Sequence, residues 1–470
     1  MTVGQATDPG FRRLDAIRRI MPLVVALGTL LIGGYFMVST APGHIPDIWA
    51  HVYRIVSITN GDIVARPVDS KSYLHGTTGN VGGYVDWEWI DYSQRYFDGY
   101  DPAVVLTDTI TVQDASGADV PCNNAAINFP VAYLPQLIGF LIGKWCGFSP
   151  DVTYYLAESL MLLTYAGCMA IAVWSLRKWR ILIGLTMLCP LLLVRSSFAI
   201  SADSFTQALA FLLSCMVFAT LYRRVSLRYC VACGVVSVML AMCKFTYMPL
   251  ILLTLVIPWL QQGLRGHVDG RLADADGSSP AVVSTPVRTS WWRSPSFAVL
   301  AVCDAVAVVW VAVWMRATGW FVTTPMIVSF EEMTERKHSL LTDPGTMILA
   351  VRSIVTAVVT AKANLDRPLD SMLIRSCWIL MTAMLVVLVV ACAMRVLDKY
   401  RIVLLWGSTV LIFGIILLTY VAFWLQYTPT GATVVDGMQH RYFLPLGVLG
   451  MLVAAESIRA IIGRLPIHYA

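Results

Sequence analysis

The chain alternates long apolar stretches with short polar connections over most of its length. An α-helix rises roughly 1.5 Å per residue, so about 20 apolar residues cross the hydrocarbon core of a bilayer. The pattern therefore predicts about ten transmembrane helices. They are expected near residues 20–40, 152–175, 181–199, 204–222, 229–243, 246–260, 297–316, 373–394, 402–425 and 441–463.

Two further apolar stretches, residues 129–145 and 347–360, are predicted to form helices at the outer membrane interface. The basic clusters around Arg177 and Arg395 belong on the cytoplasmic side, because cytoplasmic loops are enriched in Lys and Arg. If both stretches crossed the membrane as ordinary spans, the two clusters would not both face the cytoplasm. Helices that lie along the interface or dip into it satisfy both constraints.

The distribution of charge gives the orientation. Arg12, Arg13, Arg18 and Arg19 precede the first apolar run, so this end of the chain is expected in the cytoplasm. The run is longer than the core of a usual signal peptide, so we expect an uncleaved first span. Residues 44–126 carry eleven acids against four bases, which places this large loop outside.

These constraints divide the chain into successive regions. Residues 261–293 are rich in Gly, Ser, Asp and Pro and lack apolar periodicity, which is typical of a flexible loop. The predicted regions are 1–40 (cytoplasmic N-terminus and first transmembrane helix), 41–150 (extracytoplasmic loop with an interfacial helix), 151–260 (transmembrane helices), 261–296 (flexible cytoplasmic loop) and 297–470 (C-terminal transmembrane helices with extracytoplasmic loops).

Composition excludes a water-soluble globule. Of the 470 residues, 57% are hydrophobic and 13% are charged, and the mean hydropathy is +0.68. Soluble proteins are roughly 25% charged. The net charge of +5 is small for this length, and its placement indicates orientation in a membrane, not affinity for nucleic acid. We expect an all-α polytopic membrane helix bundle whose partners are membrane lipids and lipid-linked molecules, without nucleic acid.

Three ionisable residues follow the first span at helical spacing. If a helix begins just after Pro46, then Asp47, His51 and Arg54 share one of its faces. Together they offer a base, a titratable neighbour and a cation at the membrane surface. The alternative is that Asp47 caps this helix and that the other two are solvated interfacial residues.

The first loop also interleaves acids with aromatic rings. Asp86, Trp87 and Glu88 belong to a stretch that continues through further Trp and Tyr residues. Rings stack on the C–H faces of sugars and carboxylates accept hydrogen bonds from hydroxyl groups, so the stretch suits carbohydrate. An ordinary folded loop that rests on lipid headgroups explains it equally well.

Several charged residues lie at the outer ends of predicted spans. Lys244, His440 and Arg441 are cations or titratable groups there, and orientation does not require them on that side. An anionic phosphate at the outer leaflet explains them, and so do snorkelling anchors. Asp203 begins a later span, where a carboxylate also serves as a helix cap. Arg195 lies so close to an apolar stretch that it must snorkel or find an anion.

The order of these segments resembles a bacterial membrane family known as domain of unknown function 2142, whose members look like GT-C glycosyltransferases. The resemblance covers nearly the whole chain, and it rests on the order and spacing of short motifs. The matching pieces are Pro46-Asp47 with His51 and Arg54, Phe129-Pro130-Val131-Ala132-Tyr133-Leu134-Pro135-Gln136, Ile200-Ser201-Ala202-Asp203-Ser204, Lys244 with Tyr247 and Pro249, and Arg441-Tyr442-Phe443-Leu444-Pro445.

The resemblance implies a GT-C-type fold and transfer of a sugar from a polyprenyl-phosphate donor to an extracytoplasmic glycan or lipid-linked acceptor. It implies a location in the bacterial cytoplasmic membrane with the active site on the outer side. It carries a catalytic role onto Asp47 and a second acid onto Asp203, while Lys244, Arg441 and Arg54 would stabilise the departing phosphate. No cofactor is implied with certainty. A divalent metal stays an alternative, although Ile48 stands where similar enzymes commonly have a second, adjacent acid.

Two other classes of function remain open. A transporter or flippase of lipid-linked glycans would place charges deeper in the spans, and Asp304 in an otherwise apolar span is such a charge. A non-catalytic assembly partner would bind glycan through the aromatic loop. Replacement of Asp47 by Asn distinguishes an enzyme from both, because only an enzyme loses turnover.

Overall fold

A computed structural model describes residues 9–68, 81–96, 116–264, 290–319, 328–364 and 367–464. Over these residues the chain folds into long helices with one small sheet, which confirms the expected all-α polytopic bundle. Most of the flexible loop predicted between 261 and 296 lies outside the described residues, as do residues 69–80 and 97–115 of the first loop.

The helices and strands are numbered here in chain order. The α-helices are α1 (Pro9–Ser39), α2 (Ile48–Thr59), α3 (Trp87–Gln94), α4 (Asn123–Ala126), α5 (Leu134–Cys146), α6 (Pro150–Ser175), α7 (Arg180–Met187), α8 (Ala202–Ala219), α9 (Leu227–Cys243), α10 (Pro295–Thr318), α11 (Phe330–Thr342), α12 (Pro344–Thr360), α13 (Pro368–Ala393), α14 (Lys399–Gln426) and α15 (Gly447–Ile462). The 3₁₀ segments are Pro130–Tyr133, Arg195–Ser197, Phe245–Val256, Trp291–Arg293, His440–Tyr442 and Leu444–Leu446. The strands are β1 (Arg66–Pro67), β2 (Val81–Asp86) and β3 (Gly117–Pro121).

Eight described segments are long and apolar enough to cross a membrane, fewer than the ten expected. The prediction of a span at 181–199 is wrong, because α7 ends at Met187 and turns follow it as far as Ser201. Pro190 explains this end, since proline disfavours helix in the residues just before it. The helix predicted at 229–243 exists as α9, but its 17 residues are short for a crossing. The eight segments are Arg13–Ser39, Pro150–Ser175, Ala202–Ala219, Phe245–Leu264, Pro295–Thr318, Pro368–Ala393, Lys399–Gln426 and His440–Ile462.

The helix α8 is the centre of the bundle. Nearly all of its residues are buried, and it packs against α6, α9 and α15. By contrast, α1, α10 and α13 expose rows of large apolar side chains, which suits surfaces that face lipid. The N-terminal end of α8, where Asp203 stands, therefore lies at a junction of several segments.

The first loop is a folded unit beside α2. Its strands form an antiparallel sheet in the order β1–β2–β3, with Tyr84 opposite Asp119, and both α2 and α3 pack on β2. Gly82 is required by the close pairing of β2 with β3, because a Cβ at this position would lie 1.9 Å from the carbonyl oxygen of Val120. The sheet therefore packs the chain that follows α2 against α2 itself.

Both stretches predicted at the interface contain helices. Residues 129–145 form the 3₁₀ segment Pro130–Tyr133 and then α5, which packs along α6. Residues 347–360 lie in α12, which meets α11 at a bend of 106°. Their position relative to a bilayer stays a prediction.

Candidate functional site

Asp47 stands in a tight turn between α1 and α2. Its backbone is left-handed, with φ 62°, a conformation that Asp and Asn tolerate better than most residues. Its carboxylate makes no capping bond to α2. Instead, Oδ2 accepts a hydrogen bond from Nη2 of Arg441 at 2.7 Å, and Oδ1 accepts one from Nδ2 of Asn124 at 3.3 Å. The alternative that Asp47 serves as a helix cap is therefore wrong.

Asp203 is likewise free of a capping role. Ser201 is the N-cap of α8, and its hydroxyl oxygen accepts a hydrogen bond from the backbone N–H of Asp203 at 3.2 Å. The Asp203 carboxylate forms an ion pair with the ammonium group of Lys244. Its other oxygen, Oδ2, lies 3.8 Å from Nε of Arg441.

The structure thus brings together two acids and two cations from distant parts of the chain. Asp47, Arg441, Asp203 and Lys244 follow one another in space with alternating charge, and we call them the four-charge cluster. Formally the cluster is neutral. Nε of Arg441 is buried and, although it lies 3.8 Å from Oδ2 of Asp203, it donates no hydrogen bond to any described residue, so the hydrogen-bonding capacity of this guanidinium is not fully satisfied.

The charges around Asp47 set its protonation. Burial by itself would raise the pKa of its carboxyl group, but the charge and hydrogen bond of Arg441, with a contribution from His51, hold the pKa below its ordinary value. The carboxylate is therefore ionised at neutral pH. Its basicity depends on Arg441, because removal of that partner would leave burial as the dominant effect.

Tyr442 forms one wall of the cluster. Nζ of Lys244 lies 5.3 Å from the centre of its ring, and Cζ of Arg441 lies 5.4 Å from it, within cation–π range. The hydroxyl group of Tyr247 donates to the backbone carbonyl of Tyr442 at 2.9 Å and fixes this segment. The sequence motifs contain both tyrosines, but spacing alone gave no reason to place them at the site.

His51 lies beneath the cluster and connects three segments. It is 6% exposed. Its Nδ1 is 2.7 Å from the hydroxyl of Tyr133, and its Nε2 is 3.4 Å from the hydroxyl of Ser201. Burial lowers the pKa of His51 to about 4, despite the nearby carboxylates of Asp203 and Asp47. The imidazole is therefore neutral and holds the N-terminus of α8 against α2.

An open groove of about 320 Å³ lies beside Asp47. The turn from Gly43 to Trp49 forms most of its lining, and Arg367 lies on the other side. Arg367 is exposed and forms no ion pair with the residues that the structure describes. Sequence reasoning missed this arginine, although its place just before α13 makes it another cation at the start of a predicted span.

Arg54, predicted to bind substrate, lies away from the cluster. It is completely buried, and its guanidinium donates to the backbone carbonyls of Asp62 at 2.7 Å and Ile63 at 2.5 Å. Arg54 lies one helical turn beyond His51 on α2, and its side chain contacts the chain of the first loop at Asp62 and Ile63. The expectation that Arg54 contacts a phosphate is therefore corrected: Arg54 stabilises the chain that leaves α2.

The side chains of the remaining predicted residues are not paired with the cluster. Asp86 accepts a hydrogen bond from Nδ2 of Asn60 at 3.0 Å, Trp87 is half-buried against the core, and Glu88 is exposed. His440 pairs through Nδ1 with the carboxylate of Asp370. Within the described ranges no hydrogen bond or ion pair joins the side chains of these residues to the cluster, although His440 directly precedes Arg441. The end of the aromatic stretch beyond residue 96 lies outside those ranges.

Arg195 finds its anion inside the protein. Nη2 of Arg195 donates to both carboxylate oxygens of Glu158, at 2.7 and 2.8 Å, and Glu158 is completely buried. This pair links α6 to the turns before α8. Among the residues that the structure describes, no group of three or more His, Cys, Asp or Glu side chains has an arrangement suited to a metal ion.

Together, the helical bundle and the charged site define a multi-pass membrane protein with a polar centre at one end of its helices. A family model described as "Predicted membrane protein (DUF2142)" matches residues 30–449, and the chain belongs to this family. The matched range includes all four residues of the cluster. Comparison with curated proteins and with solved structures gave no match.

Proposed function

We propose that this protein is a membrane glycosyltransferase that moves a sugar from a polyprenyl-phosphate donor to a hydroxyl group of an extracytoplasmic glycan or lipid-linked acceptor. The observation that carries the proposal is the contact of Asp47 with Arg441 inside the four-charge cluster. The reaction needs a base for the acceptor and cations for the departing phosphate within a few ångströms of each other. The cluster supplies both.

The pairing within the cluster couples donor binding to the base. In the free protein Asp47 and Asp203 neutralise Arg441 and Lys244. A phosphate that binds Arg441 through bidentate hydrogen bonds competes with Asp47 for the guanidinium. Asp47 then loses the charge that lowers its pKa, while burial continues to raise it. Donor binding would thereby convert a weak base into a stronger one.

The proposed step balances as a substitution at the anomeric carbon of the sugar. The acceptor oxygen forms a bond to this carbon and transfers its proton to the Asp47 carboxylate. The bond between the carbon and the phosphate oxygen breaks, and its electron pair stays on the phosphate. Lys244 and Arg441 stabilise the resulting polyprenyl phosphate, and Asp203 orients both cations.

Membrane access to the groove fits a lipid-linked donor. The groove is lined by the residues that follow α1 directly. Near its end, α1 exposes Tyr35 and Val38, which are 70% and 82% accessible. A polyprenyl chain can lie along this apolar face, which leads to the groove that Asp47 and Arg367 line, next to the Arg441 partner of Asp47.

The transporter alternative receives less support. Asp304 is the charge within a span that favoured it. Its two carboxylate oxygens accept hydrogen bonds from Ser237 at 3.1 Å and Thr254 at 2.9 Å. A buried acid whose oxygens are satisfied by neighbouring hydroxyl groups joins helices, so it gives no reason to infer a substrate path.

The test is acceptor-dependent consumption of donor by the purified protein. The protein is incubated with a panel of labelled polyprenyl-phosphate sugars, with and without a crude glycan acceptor fraction, and polyprenyl phosphate is quantified. An enzyme releases polyprenyl phosphate and transfers label to the acceptor. Absence of release across the panel, together with movement of intact donor across liposome membranes, would support a flippase instead.

A further inference from the structure

A second charged cavity lies at the opposite end of the bundle. Arg441 stands near one end of the span His440–Ile462, and Arg459 stands near the other, about 27 Å away at 1.5 Å per residue. The cavity has a volume of about 720 Å³ and is lined by Arg395, Arg401, Arg459 and Arg464. Nothing in the proposed transfer reaction uses it.

The cavity carries an excess of positive charge. Its lining contains those four arginines and a single acid, Glu456, and Asp398 beside the cavity pairs with Arg401, which leaves a net of two positive charges. Glu456 is 1% exposed and is shared by Arg401 at 3.5 Å and Arg459 at 3.6 Å. Trp179 and Tyr222 also donate hydrogen bonds to its carboxylate. Glu456 therefore fixes the floor of the cavity without neutralising it.

Two of the arginines form no ion pair with residues in the described part of the chain. Arg464 donates a hydrogen bond to the backbone carbonyl of Met394 at 3.1 Å, and both Arg395 and Arg464 are exposed. Burial and the neighbouring charge of Arg459 lower the pKa of Lys178, which lies beside Tyr222. Crowded cations that lower the pKa of a neighbour indicate a region that attracts anions.

Arg395 occupies a position that normally favours glycine. It follows α13 with φ 52°, and the backbone N–H groups of Arg395 and Val396 bond to the carbonyls of Cys392 and Ala391 in a helix-ending motif. Glycine is usual at this position because a side chain is strained in the left-handed conformation. An arginine here places a cation at the cavity despite that strain.

The rim of the cavity is apolar and faces outward. Leu182, Ile458 and Ile462 line it and are 39%, 44% and 46% exposed. Exposed apolar side chains on a membrane helix contact lipid chains, while a basic pocket between helices on the cytoplasmic side suits a phosphate headgroup. A soluble anion has no acyl chains to contact this apolar rim.

We propose that this cavity binds the phosphate headgroup of an anionic lipid in the cytoplasmic leaflet, with Arg395 and Arg464 as its free cations and the apolar rim against the acyl chains. This inference does not depend on the proposed sugar transfer. It also differs from donor binding, because the two sites lie at opposite ends of the same span.

The test titrates the purified full-length protein in detergent with phosphatidylglycerol and, separately, with phosphatidylcholine, and counts bound lipid by native mass spectrometry. Phosphatidylglycerol should bind at least tenfold more tightly. Arg395→Gly should weaken its binding about fivefold, the ratio that corresponds to ~1 kcal/mol per cation. The double variant with Arg464→Gln should weaken it about 25-fold. Because Arg395→Gly relieves backbone strain, its thermal midpoint should equal or exceed that of the wild type.

Arg177→Gln is the matched control, because it removes an exposed arginine predicted at the same membrane face but outside the cavity. It should leave binding unchanged. Equal binding of the two lipids, or equal weakening by the control, would overturn the proposal. Displacement of phosphatidylglycerol by inorganic phosphate at equal concentration would also overturn it, since the site would then recognise free phosphate without the lipid chains.

Discussion

Replacement of Asp47 by Asn should make the donor bind more tightly while turnover collapses. Asparagine is nearly isosteric with aspartate and tolerates the left-handed backbone of this position, where φ is 62°. Its amide oxygen can still accept the hydrogen bond that Arg441 donates at 2.7 Å. The substitution therefore removes a charge and a proton acceptor and leaves the turn intact.

The size of the binding effect follows from the competition for Arg441. A hydrogen bond to a charged group contributes about 1.5–3 kcal/mol. The Asp47 side chain is 30% exposed, and solvent screening places its bond at the lower end of that range. A phosphate that no longer displaces a carboxylate should gain roughly 1.4 kcal/mol, or about tenfold in affinity. Loss of the base should lower kcat by about 10²–10⁴-fold.

Donor affinity is measured with a labelled polyprenyl-phosphate sugar, and turnover by release of polyprenyl phosphate. Asp151→Asn is a matched control, because Asp151 is predicted on the same side and accepts one hydrogen bond from Tyr92 at 3.1 Å that an amide can also accept. The control should keep wild-type values for both. Weaker donor binding by Asp47→Asn would exclude competition between Asp47 and the phosphate for Arg441, and turnover within twofold of wild type would exclude Asp47 as the base.

Three other predictions concern the same region. Arg441→Gln should lower both the donor affinity and the thermal midpoint, because it leaves Asp47 unpaired. The double variant with Asp47→Asn should recover part of the midpoint, since the two side chains should be coupled by about 0.5–3 kcal/mol. Additive losses of stability would contradict the pairing. Because His51 has a pKa of about 4 when folded and an ordinary value near 6.5 when unfolded, the unfolded chain binds more protons between these values, so stability should fall as pH falls through this window. His51→Gln should remove this loss of stability, which amounts to at most ~3 kcal/mol across the window, in pH-dependent thermal melts. The same pH dependence in both proteins would exclude a neutral buried His51. Arg54→Met should destabilise the protein by about 2–4 kcal/mol in thermal melts but leave the donor Kd unchanged, whereas a tenfold loss of affinity at an unchanged midpoint would restore Arg54 to the site.

Hydropathy and charge were sufficient for much of the architecture. The two ends of each membrane-spanning segment lie at opposite membrane surfaces, so residues at the outward ends of different spans share the outer surface. This is why Asp203, Lys244 and Arg441, which are far apart in the sequence, could be expected at one end of the bundle. Asp47 could be added because it follows the first span directly.

The failures have identifiable physical causes. The span expected at 181–199 has the right hydropathy, but Pro190 ends the helix before it, a local effect that window averages do not detect. Helical spacing placed Arg54 on a face with Asp47 and His51, yet spacing does not say what packs against that face, and here it is the chain at Asp62 and Ile63. Arg367 was missed because an exposed arginine without a pattern becomes informative only when a groove lies beside it.

The decisive experiment is a structure determined with polyprenyl phosphate bound. Density for the phosphate is expected between Lys244 and Arg441, with the Asp47 carboxylate displaced from its guanidinium partner and the polyprenyl chain along α1. A phosphate located elsewhere, with the ion pair between Asp47 and Arg441 intact, would contradict the proposed role of the cluster.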